Sequence, residues 1–100
     1  MAGPLVWPVK SVTDTAVLVQ DASTLVLAAN PKRADAVFVN DSNQPIYLAR
    51  GNAAVMNAGI RLNASGGSYE IDNNNLFLGA IYAIATGGDK NLTVSEGEQQ

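Results

Sequence analysis

The chain has 100 residues, no cysteine and no histidine, and six Lys/Arg against nine Asp/Glu for a formal net charge of −3. A domain of this length buries about two-thirds of its extended surface, enough for one modest core and no second domain. Disulfides, thiolate or imidazole metal sites, and Ser-His-Asp or Cys-His catalysis are all excluded by composition.

Charged residues make up 15% of the chain, where about 25% is usual for soluble domains. A surface so poor in charge is either partly covered by other subunits or solvated without charge by ten Asn and eleven Ser/Thr. Lys10, Lys32, Arg33, Arg50, Arg61 and Lys90 are scattered along the chain. That spacing argues against nucleic acid as a partner, and no polybasic segment offers a hold on an anionic membrane.

Residues 1–13 read as an extended N-terminal arm and residues 14–100 as the folded domain. Pro4 and Pro8 flank Trp7, and proline cannot donate to a strand ladder. The segment has neither a basic start nor an unbroken apolar stretch, so it does not read as a signal peptide. Trp7 is the single tryptophan, and a large aromatic on an arm needs somewhere to be buried. It either folds back over the open end of its own domain or docks on a neighbouring subunit, with Leu5, Val6 and Val9 beside it.

Beyond the arm, turn clusters recur every eight to twelve residues, a spacing that suits short strands. They are Asp21–Ser23, Asn30-Pro31, Asn40–Pro45, Gly51-Asn52, Asn57–Gly59, Asn63–Gly67, Asp72–Asn75 and Gly87–Asp89. Between them the sequence predicts strands at Ala16–Gln20, Thr24–Ala28, Ala36–Asn40, Ile46–Arg50, Ala54–Met56, Ile60–Leu62, Ser68–Ile71, Leu76–Ala85 and Asn91–Ser95. Val37 and Val39 share a face, as do Ile46 and Leu48, Tyr69 and Ile71, and Leu92 and Val94. No eleven-residue window sustains a helical period. The expected fold is all-β: a single antiparallel β-sandwich or jelly-roll-like domain of about eight strands. Leu76–Ala85 is apolar on both faces and is expected as a central strand, buried from both sides or facing another subunit, with Gly79 at a bulge or close backbone approach.

Candidate chemistry is sparse. Glu70 and Asp72 stand two positions apart on one strand face, roughly 7 Å between Cβ atoms. With no aromatic platform nearby, they read as a solvated face. Asp72–Asn75 and Gly87–Asp89 carry oxygen donors without the spacing of a calcium loop, and left-handed turn conformers account for the asparagines. Asn63–Gly67 lacks the lysine and following helix of a phosphate loop and reads as a hairpin connection. No catalytic, cofactor or metal residues are assigned. The three sequons, at Asn40, Asn63 and Asn91, carry little meaning without a secretory signal. Arg33 and Arg61 are either solvated or, in a homo-oligomer, paired with Asp41, Glu70 or Asp72 of a neighbour to fix register.

The stretch Thr24–Arg33, followed by Val37-Phe-Val-Asn-Asp-Ser-Asn-Gln-Pro-Ile-Tyr-Leu48 and Gly59-Ile-Arg-Leu-Asn-Ala-Ser-Gly-Gly-Ser-Tyr-Glu-Ile71, resembles small β-sandwich structural proteins encoded in tailed-phage genomes. The resemblance covers roughly residues 24–95 and excludes the arm. It implies a non-enzymatic virion component, assembled in the host cytoplasm and commonly trimeric. Its partners would be further copies of itself and the major capsid protein or other virion proteins. A capsid decoration (cement) protein is the first expectation. A neck, tail or head-fibre subunit, or a carbohydrate-binding module at a fibre tip, is the alternative. The expected contact residues are Leu5, Val6, Trp7 and Val9 of the arm, Arg33 and Arg61 as orienting charges, and Tyr47 and Tyr82 as amphipathic contacts.

Overall fold

Alternating apolar and polar residues between turn clusters give eight strands in the computed structural model, which describes residues 9–99. They are β1 (Ser11–Val19), β2 (Thr24–Leu27), β3 (Arg33–Asn40), β4 (Ile46–Arg50), β5 (Ile60–Leu62), β6 (Ser68–Ile71), β7 (Ile81–Ala85) and β8 (Lys90–Glu98). Among the described residues there is no helix.

The pairing is a nested antiparallel hairpin rolled onto itself. β4 pairs with β5 at the tip, then β3 with β6, β2 with β7 and β1 with β8. Contacts of β3 with β8 and of β4 with β7 join these four ribbons into two sheets, β1-β8-β3-β6 and β2-β7-β4-β5. This is the strand order of a jelly roll, so the all-β sandwich expected from the sequence is the observed architecture.

The core lies between the sheets. Phe38, Ile46, Leu48, Leu62, Ile71, Ile81 and Leu92 are all buried there, with Val19, Ala36, Ala83 and Ala85 filling smaller gaps. Phe38 stacks on Tyr69 with ring centroids 6.3 Å apart. In β3 the shared face of Val37 and Val39 is the outer one, and Ala36 and Phe38 point inward. Every residue with positive φ among the described ones falls in a turn cluster marked by the sequence: Gly51, Asn57, Gly59, Ser65, Gly66, Gly87, Gly88 and Asp89. The asparagines at 73–75 do not use that conformation. Asn75 Oδ1 instead accepts from the Asp72 amide and Asp72 Oδ1 accepts from the Asn74 amide, a side-chain-closed turn.

β3 begins at Arg33 where Ala36 was expected, β8 runs to Glu98 where Ser95 was, and three further regions differ. Ser11, Val12 and Thr13, assigned to the arm, are paired with Glu98, Gly97 and Glu96 as the start of β1. Residues 1–8 of the arm, Trp7 included, lie outside the described residues. Ala54–Met56 is not a strand: the Ala54 amide is held by Ser23 Oγ, and the chain turns at once through Ala58 N–H to Val55 O. The long strand expected over Leu76–Ala85 shortens to Ile81–Ala85, because the carbonyls of residues 77–80 are taken by Arg33, Asn30 and Gly51 and not by a neighbouring strand. Gly79 lies before the strand and marks neither a bulge in it nor a close approach of another backbone segment: a Cβ there would lie 2.7 Å from the Phe77 ring.

Candidate functional site

The one large charged side chain sealed in the sandwich is Arg33. β3 starts at a bulge between Arg33 and Asp35, which turns the guanidinium inward. Its Nε donates to Glu96 Oε2 at 2.7 Å, Nη1 to Phe77 O and Gly79 O at 2.8 and 2.9 Å, and Nη2 to Ala28 O at 2.8 Å. Asn30 Nδ2 closes the cluster by donating to Glu96 and Glu98. Arg33 has 0% exposure, so it is neither solvated nor an orienting charge for a neighbour, and both readings from the sequence are corrected. It is an internal clamp, matching the planar fork of arginine to three carbonyls and one carboxylate.

Asn40 is the other buried polar side chain among the described residues. Its Nδ2 donates to Gln44 O and Leu62 O, and its Oδ1 accepts from Ser42 Oγ. Both groups are fully partnered inside the fold, and among the described residues no buried side-chain polar atom is left without a partner. Neither offers chemistry to a substrate.

The expected contact residues that do come together lie on the outside of β2-β7-β4-β5. Strand parity puts Tyr82 and Ile84 of β7 outward, since Ile81, Ala83 and Ala85 are buried. In β4 the same argument turns Tyr47 and Ala49 outward against buried Ile46 and Leu48. The register then aligns two cross-strand rows. Leu25, Tyr82 and Ala49 form one, and Ile84, Tyr47 and Arg61 the other. Tyr47 and Tyr82 are half-buried and Leu25 is 51% exposed. Arg61 is exposed at the end of its row, with Nε donating to Asn63 Oδ1 at 3.1 Å. Sequence reasoning named Tyr47, Arg61 and Tyr82 but missed Leu25, Ala49 and Ile84. The alternation within Ile81–Ala85 was the available signal, hidden because the whole of Leu76–Ala85 reads as apolar.

Charge divides sharply between the sheets. The strands β2, β4, β5 and β7 contain no Asp or Glu and carry Arg50 and Arg61. Asp14, Asp35, Glu70, Glu96 and Glu98 are all in the other sheet, with Arg33 and Lys90. That sheet's outer face is a row of short neutral side chains, Ala16, Thr93, Val39 and Ser68, beside a second row of Asp14, Ser95, Val37 and Glu70. An open trough of about 470 Å³ lies on it and another of about 510 Å³ at its end, against the Asp41–Asn43 and Ser65-Gly66 turns, and no aromatic side chain lines either. Glu70 and Asp72 are exposed, and Asp72 follows the end of β6, its carboxylate engaged by the Asn74 amide.

Val9 is 40% exposed, with Cγ1 placed over Gly97. Leu5, Val6 and Trp7 lie outside the described residues. Among the described residues, no group of three or more Asp or Glu is arranged to hold a metal ion, and no helix is long and apolar enough to cross a membrane. No family model, curated protein or solved structure matches the chain.

Proposed function

We propose that this protein is a non-enzymatic structural subunit of a tailed-phage virion, a capsid decoration protein that stabilises the shell by bridging capsid subunits. The observation that carries the reading is the outer face of β2-β7-β4-β5. Two tyrosines, three aliphatic side chains and one arginine lie there in register, and no strand of that sheet holds a carboxylate. Tyrosine and arginine are the side chains that anchor protein interfaces, and a face free of acids suits a partner surface that presents them.

Two further points support it. Among the described residues, both buried polar side chains are used to hold the fold. The jelly roll is also a scaffold of viral shell proteins, although lectins and cupins share it and fold by itself does not choose between them. The troughs on the opposite sheet lack the aromatic side chains on which a sugar stacks, so the carbohydrate-binding alternative ranks second. In the proposed mode the β2-β7-β4-β5 face lies on the shell and Trp7 of the arm anchors to a neighbour. Each subunit adds a modest area, and the symmetry of the shell multiplies the effect.

Purified protein added to preformed shells that lack it tests the reading. Cosedimentation with a stoichiometry on the order of hundreds of copies per particle supports decoration. A dozen copies or fewer moves the subunit to the neck, tail or a fibre. Absence of binding by the 100-residue chain sinks the virion reading.

A further inference from the structure

The two sheets have four edges, and three of them are blunted. β2 has four residues and a register shift between Leu25 and Leu27, β5 has three residues around Arg61, and β6 has four residues with an outward Glu70. Short length, a bulge and a charge are the usual devices that stop a sheet edge from pairing with another chain. β1 is neither short nor bulged. It runs for nine residues, Ser-Val-Thr-Asp-Thr-Ala-Val-Leu-Val, with one charge, no proline and an unbroken register against β8. Ser11 through Ala16 are all exposed, and among the described residues no strand lies on its free side.

We infer that β1 pairs antiparallel with β1 of a second copy about a two-fold axis, joining two four-stranded sheets into one of eight strands. The occupant follows from the strand's complementarity to itself. Val12, Asp14, Ala16 and Leu18 face outward, opposite Gly97, Ser95, Thr93 and Asn91 of β8. A two-fold axis normal to the sheet keeps outward residues opposite outward residues, so neighbouring registers differ by moving the axis from one residue to the next. With the axis at Asp14, two carboxylates meet head-on. With the axis at Ala16, Leu18 lies opposite the Asp14 carboxylate of the other copy. With the axis at Thr15, all nine residues pair, Asp14 faces Ala16, and Val12 faces Leu18 of the second copy twice over. Val12 and Leu18 are the two most exposed large apolar residues of the strand, at 57% and 54%, and this register covers both.

The inference goes beyond the virion reading and does not depend on it. It also replaces the three-fold assembly that the phage resemblance implies, because an isologous contact closes at two subunits.

The absence of cysteine from the chain permits a direct test. In the Thr15 register, Thr15→Cys places two thiols opposite each other across the axis. Val12→Cys with Leu18→Cys in one chain forms two symmetric bridges. Either single change at 12 or 18 leaves its thiols about 20 Å apart along the strand, beyond disulfide reach. Under mild oxidant at micromolar protein, Thr15→Cys and the double variant are expected to run as covalent dimers on a non-reducing gel, and Val12→Cys or Leu18→Cys alone as single chains. Sedimentation of the unmodified protein is expected to rise from one chain's mass toward two over a micromolar range, as befits a small interface. A Thr15→Cys variant that stays monomeric, a Val12→Cys variant that crosslinks equally well, or a monomer or trimer for the unmodified protein overturns the inference. A trimer that binds shells would remove the two-fold pairing and keep the virion reading. A β1-linked dimer that ignores shells would do the reverse.

Discussion

The Arg33 guanidinium meets the Glu96 carboxylate at 2.7 Å across the β3–β8 pair, with Arg33 fully buried and Glu96 14% exposed. It is the one ion pair among the described residues. Its effect reaches past the pair, because the remaining N–H groups hold Ala28, Phe77 and Gly79 through their carbonyls. The end of β2, the segment before β7 and β8 are thus tied to a single side chain, and the residues before β7 are thereby kept out of the sheet.

Replacing that side chain should cost more than any surface substitution. Arg33→Met leaves the Glu96 carboxylate and three carbonyls short of a donor, for a loss of about 3–5 kcal/mol. Arg33→Lys keeps the charge but loses the fork, for about 2–3 kcal/mol. Urea unfolding with unchanged slope gives both values. Equal midpoints for Arg33→Lys and the parent chain would refute the clamp.

Asn40 supports a matching prediction with the opposite charge. Its Nδ2 faces the carbonyls of Gln44 and Leu62 at 2.7 and 3.0 Å. Asn40→Asp turns that donor into an acceptor aimed at two acceptors, and buries a charge. A loss of about 3 kcal/mol or more is expected. Asp41→Asn next to it, on an exposed residue, should stay within about 0.5 kcal/mol. Thermal melts of the two variants decide the contrast.

Glycine substitutions separate backbone strain from collision. Gly59 and Gly66 both have positive φ, at 86° and 117°. A Cβ on Gly59 would collide with the Leu48 carbonyl oxygen, and one on Gly66 meets nothing within 4 Å. Gly66→Ala is expected to cost about 1–2 kcal/mol from strain alone. Gly59→Ala should lose at least about 1 kcal/mol more, because β4 must shift away from the turn. Chemical denaturation curves that rank the two in the reverse order would contradict the packing at Leu48.

The contact face predicts loss of binding without loss of stability. Tyr82→Ser removes the centre of its row and Arg61→Glu reverses the charge at the end of the other. Each should weaken shell binding about 10- to 100-fold and leave the unfolding midpoint near the parent value. Trp7, the only tryptophan, serves as a reporter. In the proposed mode its emission shifts to the blue when the protein is added to shells. An emission maximum that is already blue in the free chain and stays fixed would favour burial against its own domain.

Much of the architecture was legible from local chemistry. Left-handed turns occurred only where Gly, Asn, Ser and Asp clusters stood in the sequence, since few other residues tolerate that conformation. The inward faces of β4, β6 and β8 followed the alternation of Ile46 with Leu48, Tyr69 with Ile71 and Leu92 with Val94. The candidate contact face was half legible. Tyr47, Arg61 and Tyr82 stood out by residue type, but strands β4, β5 and β7 are brought side by side only by the roll.

By itself, the sequence determined that this is a small all-β domain without the side chains of histidine or cysteine chemistry, because period, punctuation and composition are local properties. The tertiary structure decided the role of Arg33 and the use of residues 76–80, because a charge is buried or solvated according to which distant carbonyls and carboxylates surround it. It also decided which sheet edge stays open. An edge is a property of strand order, and strand order is set by contacts between residues as far apart as Ser11 and Glu98.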